Sequence, residues 1–165
     1  MPQKFQILLV DDSPTDAQIF ETALKQASAR PQVYWVATGR EALEFLRQQG
    51  RFEEVGAVDI VILDLHLNGE DGMEVLKEIK ADPDLCWKPV IMLSSSISQN
   101  DIDLAYSLGV NAYFRKPMTL DSYVEQIRVL IQHWLDLAQL PSLERRTHRQ
   151  HLAENLDAVA GETGI

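Results

Sequence analysis

The chain has 165 residues, 45% of them hydrophobic and 24% charged, with a formal net charge of −10. That length supports one domain with a full hydrophobic core and not two comfortable ones, and the composition excludes a disordered polypeptide. The negative balance argues against direct nucleic acid binding, no apolar run approaches the roughly 20 residues that span a bilayer, and a lone cysteine, Cys86, excludes an intrachain disulfide.

The first predicted element is the apolar run Ile7-Leu8-Leu9-Val10, the pattern of a parallel strand buried on both faces. Ser13-Pro14 then reads as a helix cap with proline at the first helical position, opening a helix to about Ser28. Val33 to Val36 is a second strand. Thr38 with Glu41 three residues on is a capping box, and Ala42, Leu43, Phe45 and Leu46 form the apolar side of the helix it opens. Gln48 to Ala57 reads as a loop, and Val58 to Leu63 as the third and most hydrophobic strand.

Asp71-Gly72 marks a turn, after which Met73, Val75, Leu76 and Ile79 carry a third helix. Pro83 and Pro89 bracket the next loop. Val90 to Leu93 is the fourth strand, Asp101 to Leu108 a short helix stopped by Gly109, and Asn111 to Phe114 a fifth strand. Thr119 caps a long last helix with Leu120, Tyr123, Val124, Ile127, Leu130, Ile131, Trp134 and Leu135 at helical spacing. After Pro141 the chain turns polar, and 138–165 is expected to be an extension that is weakly helical or disordered. His148 and His151 in it have metal-like spacing without nearby acids or thiolates, and read as surface residues.

Strict strand–helix alternation predicts an α/β fold with a parallel sheet and helices on both faces. Ligands in such folds bind beyond the carboxyl ends of the strands. Those ends carry Asp11-Asp12, Asp64, Ser94-Ser95-Ser96 and Lys116-Pro117. Gathered carboxylates repel one another, so such a group tends to hold a proton or recruit a cation. Mg2+ suits them, because it takes carboxylate, water and phosphate oxygens. Lys116 offers a point charge for a phosphoryl oxygen, Ser94 a hydroxyl, and Asp64 a carboxylate able to form an aspartyl phosphate.

These residues, in this order, resemble the receiver domain of two-component response regulators, over residues 4–137. The carrying segments are Ile7 to Ser13, Val61 to Leu65, Asp71-Gly72, Pro89 to Ser94, Gly109 to Tyr113 and Lys116-Pro117. The resemblance implies a flavodoxin-like doubly wound (β/α)5 fold with strand order 2-1-3-4-5. It implies Asp64 as phosphoacceptor, and Asp11, Asp12, Asp64 and the backbone carbonyl of His66 as metal contacts. Ser94 becomes the switch hydroxyl, Lys116 the pocket lysine, Tyr113 the switch aromatic, and Lys116-Pro117 a cis bond that aims the lysine. Asn68 stands where the family often has proline, which predicts a looser loop. His66 and Ser96 fall where the family tunes phosphoryl lifetime.

Val10 to Asp16, Glu78 to Leu85 and the end from His133 to Pro141 are similar to stand-alone receivers of the cyanobacterial phytochrome type. That likeness implies phosphoryl transfer from a sensor histidine kinase of phytochrome type, with no output domain in the chain. The protein is then a phosphoacceptor with intrinsic phosphotransfer and autodephosphorylation activity, rather than an enzyme with an external substrate. Output is expected through a protein partner or a homodimer, formed by the face of the fourth helix, fifth strand and fifth helix together with the extension. With no leader-like N-terminus, a cytoplasmic location is expected. Rival readings fail on particular residues. A haloacid dehalogenase-type phosphatase needs Asp where His66 stands. A flavodoxin-like carrier needs a phosphate loop where Asp11-Asp12 stand, and a Rossmann dehydrogenase needs a glycine-rich run there.

Overall fold

The computed structural model describes residues 4–25 and 31–141. The end of the first predicted helix, from residue 26, and the polar segment from residue 142 with His148 and His151 lie outside the described residues. The elements in chain order are β1 (Gln6–Val10), α1 (Pro14–Lys25), β2 (Gln32–Val36), α2 (Gly39–Leu46), β3 (Ile60–Leu63), β4 (His66–Leu67), β5 (Glu70–Asp71), α3 (Gly72–Ala81), β6 (Val90–Ser94), α4 (Gln99–Ser107), β7 (Ala112–Arg115) and α5 (Leu120–Gln132). A short 3-10 turn, Gly50–Phe52, interrupts the loop before β3, and a π-helical turn, His133–Leu137, continues α5.

Five strands form one parallel sheet in the order β2-β1-β3-β6-β7. Counting only these strands, that is the expected 2-1-3-4-5. β4 and β5 make a separate antiparallel hairpin that the apolar pattern does not announce. The alternation of side chains along β1 explains the layering. Ile7 and Leu9 face one core with Phe20, Ile62, Ile127 and Ile131, while Leu8 and Val10 face the other with Leu76, Ile79 and Met92. Helices α1 and α5 pack together on the first face, and α2, α3 and α4 on the second. Each fully buried Ile or Leu contributes about 1.5–3 kcal/mol, which makes the central strands the stable frame.

Local signals account for the helix ends. Thr38 Oγ1 accepts from the Glu41 amide at 3.1 Å, while Glu41 Oε2 reaches back to the Ala37 amide, one residue before the cap. Thr119 caps α5 and Ser98 caps α4. Asp71 is the cap of α3 rather than part of a turn, accepting from the Met73 amide at 2.8 Å. Leu120, placed by spacing on the apolar side of the last helix, is 58% exposed.

The amino edge of the sheet is fastened by charged side chains. Lys80 Nζ donates to the carbonyls of Cys86 and Lys88 and to Asn111 Oδ1 at 3.2, 2.8 and 3.1 Å. Asn111 Oδ1 also accepts from the Val90 amide, and buried Lys88 donates to the Val58 carbonyl. The Gln6 amide donates to Asp59 Oδ2 at 2.7 Å.

Candidate functional site

The strand order reverses between β1 and β3, because the chain runs from β1 outward to β2 and returns on the other side. Side chains just past β1 and β3 therefore share one crevice. The ladder holds both entrances in place. The Asp11 amide donates to the Val36 carbonyl at 3.1 Å, and the Asp64 amide to the Val10 carbonyl at 2.9 Å. Asp11, Asp12 and Asp64 each present one carboxylate oxygen within 4.8 Å of the others.

Asp11 is almost fully buried, and Asp64 is 9% exposed. Asp11 Oδ1 accepts from the Ser13 amide at 2.9 Å, and its carbonyl accepts from the Trp35 indole at 2.8 Å. Burial pushes the Asp11 carboxyl above the usual carboxylate range. Lys116 and the Ser13 amide oppose that shift, and the charge of Asp64 adds to it. A raised carboxyl among other carboxylates is the condition under which a cation is gained. The donors are all hard oxygens, so the three residues fit a divalent ion such as Mg2+ or Mn2+.

Lys116 spends all three of its N–H donors here: Asp11 Oδ2 at 2.7 Å, Asp16 Oδ2 at 2.7 Å and Asp64 Oδ2 at 2.9 Å. Burial alone would lower the lysine pKa. The charges of Asp64, Tyr123 and Asp11 outweigh it and hold the ammonium above its ordinary value. Asp16 closes the segment Val10 to Asp16 in the sequence reading but is given no role at the site there. It sits in the first turn of α1, its amide on the cap hydroxyl of Ser13 at 3.2 Å. Its place three residues after a cap, on the helix that opens at the acid pair, was the available clue.

The Lys116-Pro117 bond is not cis; the described residues contain no cis peptide bond. The lysine is aimed instead by its own amide, which donates to the Ser94 carbonyl at 2.8 Å, and by its three carboxylates. Ser94 is fully buried at the end of β6, and its hydroxyl accepts from the Ser96 amide at 3.2 Å. Tyr113 lies on β7, half-buried. Its hydroxyl donates at a long 3.4 Å to the Ser96 carbonyl and so touches the loop after β6 rather than the acid cluster.

The segment after Asp64 that contains Asn68 is a hairpin. Asn68 (φ 34°) and Gly69 (φ 91°) form the tight end of the β4–β5 hairpin. The Asn68 amide donates to Asp12 Oδ2 at 3.0 Å. The His66 amide lies 3.4 Å from Asp64 Oδ1. Proline at position 68 has no amide hydrogen and holds φ near −65°, so it supports neither feature.

A response regulator receiver domain model matches residues 7–128. The chain belongs to the response regulator receiver domain family. Response regulator Rcp1 of Synechocystis sp. is 35% identical over 136 residues, spanning 82% of this chain and 92% of Rcp1. Among solved structures, the phosphorylated cyanobacterial phytochrome response regulator RcpA superposes with a TM-score of 0.81 at 38% identity, over 85% of this chain and 100% of that one. The Mn2+-bound form of Rcp1 gives 0.80 at 35% identity, over 84% and 99%. No helix among the described residues is long and apolar enough to cross a membrane.

Proposed function

We propose that Asp64 accepts a phosphoryl group from a phosphohistidine on a sensor histidine kinase of phytochrome type. The observation that carries this reading is the Lys116 ammonium seated on Asp64 Oδ2 beside the three-carboxylate cluster. An Asp64 oxygen attacks phosphorus, the P–N bond breaks, and its electron pair leaves with the imidazole. Asp11, Asp12, Asp64 and the His66 carbonyl would hold Mg2+, which would supply charge neutralisation for the phosphoryl oxygens. Lys116 neutralises a further oxygen, and the ladder under Asp11 and Asp64 fixes their approach.

The acquired charge then draws Ser94 and Lys116 toward Asp64. Because the Lys116 amide is bonded to the Ser94 carbonyl, the two move together. Ser96, bonded to both Ser94 and Tyr113, passes that movement to β7. The signal leaves through the α4–β7–α5 face, where Leu104, Tyr106 and Val129 stand exposed, to a protein partner or a second copy of the chain. The site is a phosphoacceptor that also releases its phosphoryl group to water, and it acts in the cytoplasm.

The test is incubation with acetyl phosphate and Mg2+, followed by mapping of the adduct. A single acid-stable, base-labile adduct on Asp64 is expected. Undiminished labelling of Asp64→Asn sinks the assignment. For the dimer, sedimentation with and without a phosphoryl mimic is expected to show association only with it, and identical behaviour counts against it.

A further inference from the structure

The β4–β5 hairpin is held at four points. Leu67 is buried in the core at 1% exposure. Glu70 accepts from the Gly39 amide at the start of α2. The Asn68 amide lies on Asp12 Oδ2. The Gly72 amide closes the base on the Leu65 carbonyl at 2.7 Å. Positive φ at both turn residues defines a primed two-residue turn, the geometry Asn-Gly favours because it matches the twist of the strands it joins.

Two separated parts of the cation site meet in this one hairpin. The His66 carbonyl belongs to β4, and Asp12, from the far side of the crevice, is bound by the turn amide. We propose that the Asn68-Gly69 turn is a positioning element for the cation site, holding the Asp12 carboxylate through the Asn68 backbone amide. The proposal rests on the cation reading above. Its mechanism is orientation. A carboxylate on a short side chain rotates freely in solvent, and Asp12 is more exposed than Asp11. A fixed amide on Asp12 Oδ2 restricts that rotation. Partners of this kind, bonded to a ligand rather than to the ion, typically change metal affinity 10–100-fold when removed.

The role belongs to the backbone, which gives a sharp pair of variants. Asn68→Gly keeps the amide hydrogen and the positive φ and loses only the side chain. Asn68→Pro loses both. Calorimetric titration of the full chain with MgCl2 is expected to give a Kd roughly tenfold weaker for Asn68→Pro and within about twofold of wild type for Asn68→Gly. Thermal unfolding checks that each variant is folded. If Asn68→Pro does not fold, Gly69→Ala takes its place. An added Cβ there meets nothing within 4 Å, so its only effect is on a backbone at φ 91°, and a several-fold weaker Kd is expected. Mg2+ binding by Asn68→Pro within twofold of wild type overturns the proposal. So does an equal loss in Asn68→Gly, which would assign the effect to the side chain. Absence of Mg2+ binding in the wild-type chain overturns the cation reading itself, and Asp12→Asn, expected to bind far more weakly, separates that failure from failure of the turn.

Discussion

Gly72 lies against the backbone of Asp64 and Leu65. A Cβ built there falls 2.9 Å from Leu65 Cα and 3.0 Å from the Leu65 carbonyl oxygen, and closer still to the carbonyl oxygen of Asp64. Carbon atoms prefer separations of about 3.5–4.0 Å, so Gly72→Ala forces the two segments apart by roughly 1 Å. None of the obstructing atoms is a side-chain end that can swing away. Overpacking of this kind costs about 1–3 kcal/mol, and weakening the 2.7 Å bond from the Gly72 amide to Leu65 adds about 1 kcal/mol. The expected loss is about 3 kcal/mol. With a urea m-value of about 2 kcal/mol/M, the unfolding midpoint falls by about 1.5 M. The displaced atoms include the carbonyl of Asp64, so labelling from acetyl phosphate is expected to slow by about 100-fold, the usual scale for a misplacement of 1 Å. Gly56→Ala is the control, because its Cβ meets only the Gln6 side chain, 3.3 Å away; its stability should stay within about 0.5 kcal/mol. A Gly72→Ala protein with the wild-type midpoint and labelling rate refutes the close approach.

Asp16→Ala removes one of the three partners of Lys116 at a carboxylate whose side chain is 29% exposed. Urea unfolding is expected to show a loss of about 1 kcal/mol, and an unchanged midpoint would deny Asp16 any hold on the lysine. Lys116 is held above its ordinary pKa by its carboxylates, and Tyr123 above its own, chiefly by burial. In both cases the folded chain keeps a proton that the unfolded chain releases from about pH 10. The contribution is therefore complete below that pH and is lost as pH rises toward the folded values. Urea midpoints are expected to fall above about pH 10 in the wild type and to fall less in Lys116→Met; parallel curves would contradict the assignment.

Much of the frame was legible because both faces of the sheet are covered. Ile7 to Val10, Ile60 to Leu63 and Val90 to Leu93 form unbroken apolar runs only because no strand face meets water. The acid cluster was legible because strand ends in an open α/β sheet converge whatever the loops do. What escaped lies in loops and first turns. Asp71-Gly72 read as the turn, when Asn68-Gly69, the stronger hairpin dipeptide, makes it and Asp71 caps a helix. Two-residue strands leave no periodicity to detect. Asp16 escaped because helical spacing gives a residue's face and not the partner that waits there. The cis bond expected at Lys116-Pro117 was an inheritance from the resemblance, and nothing local in the sequence demanded it.

The amino edge of the sheet, fastened by Lys80, Lys88, Asn111 and Asp59, lies at the other end of the strands from the acid cluster. The molecule thus separates what may be altered from what must be kept. Apart from Leu67, which is buried in the core, the loop residues at the carboxyl edge are open to recombination between relatives, since their replacement leaves the lysine fastenings in place. On the function proposed above, a library confined to residues 66, 68–70 and 95–98 should yield mostly folded proteins that differ in cation affinity and phosphoryl lifetime, a property set by loops the core does not depend on.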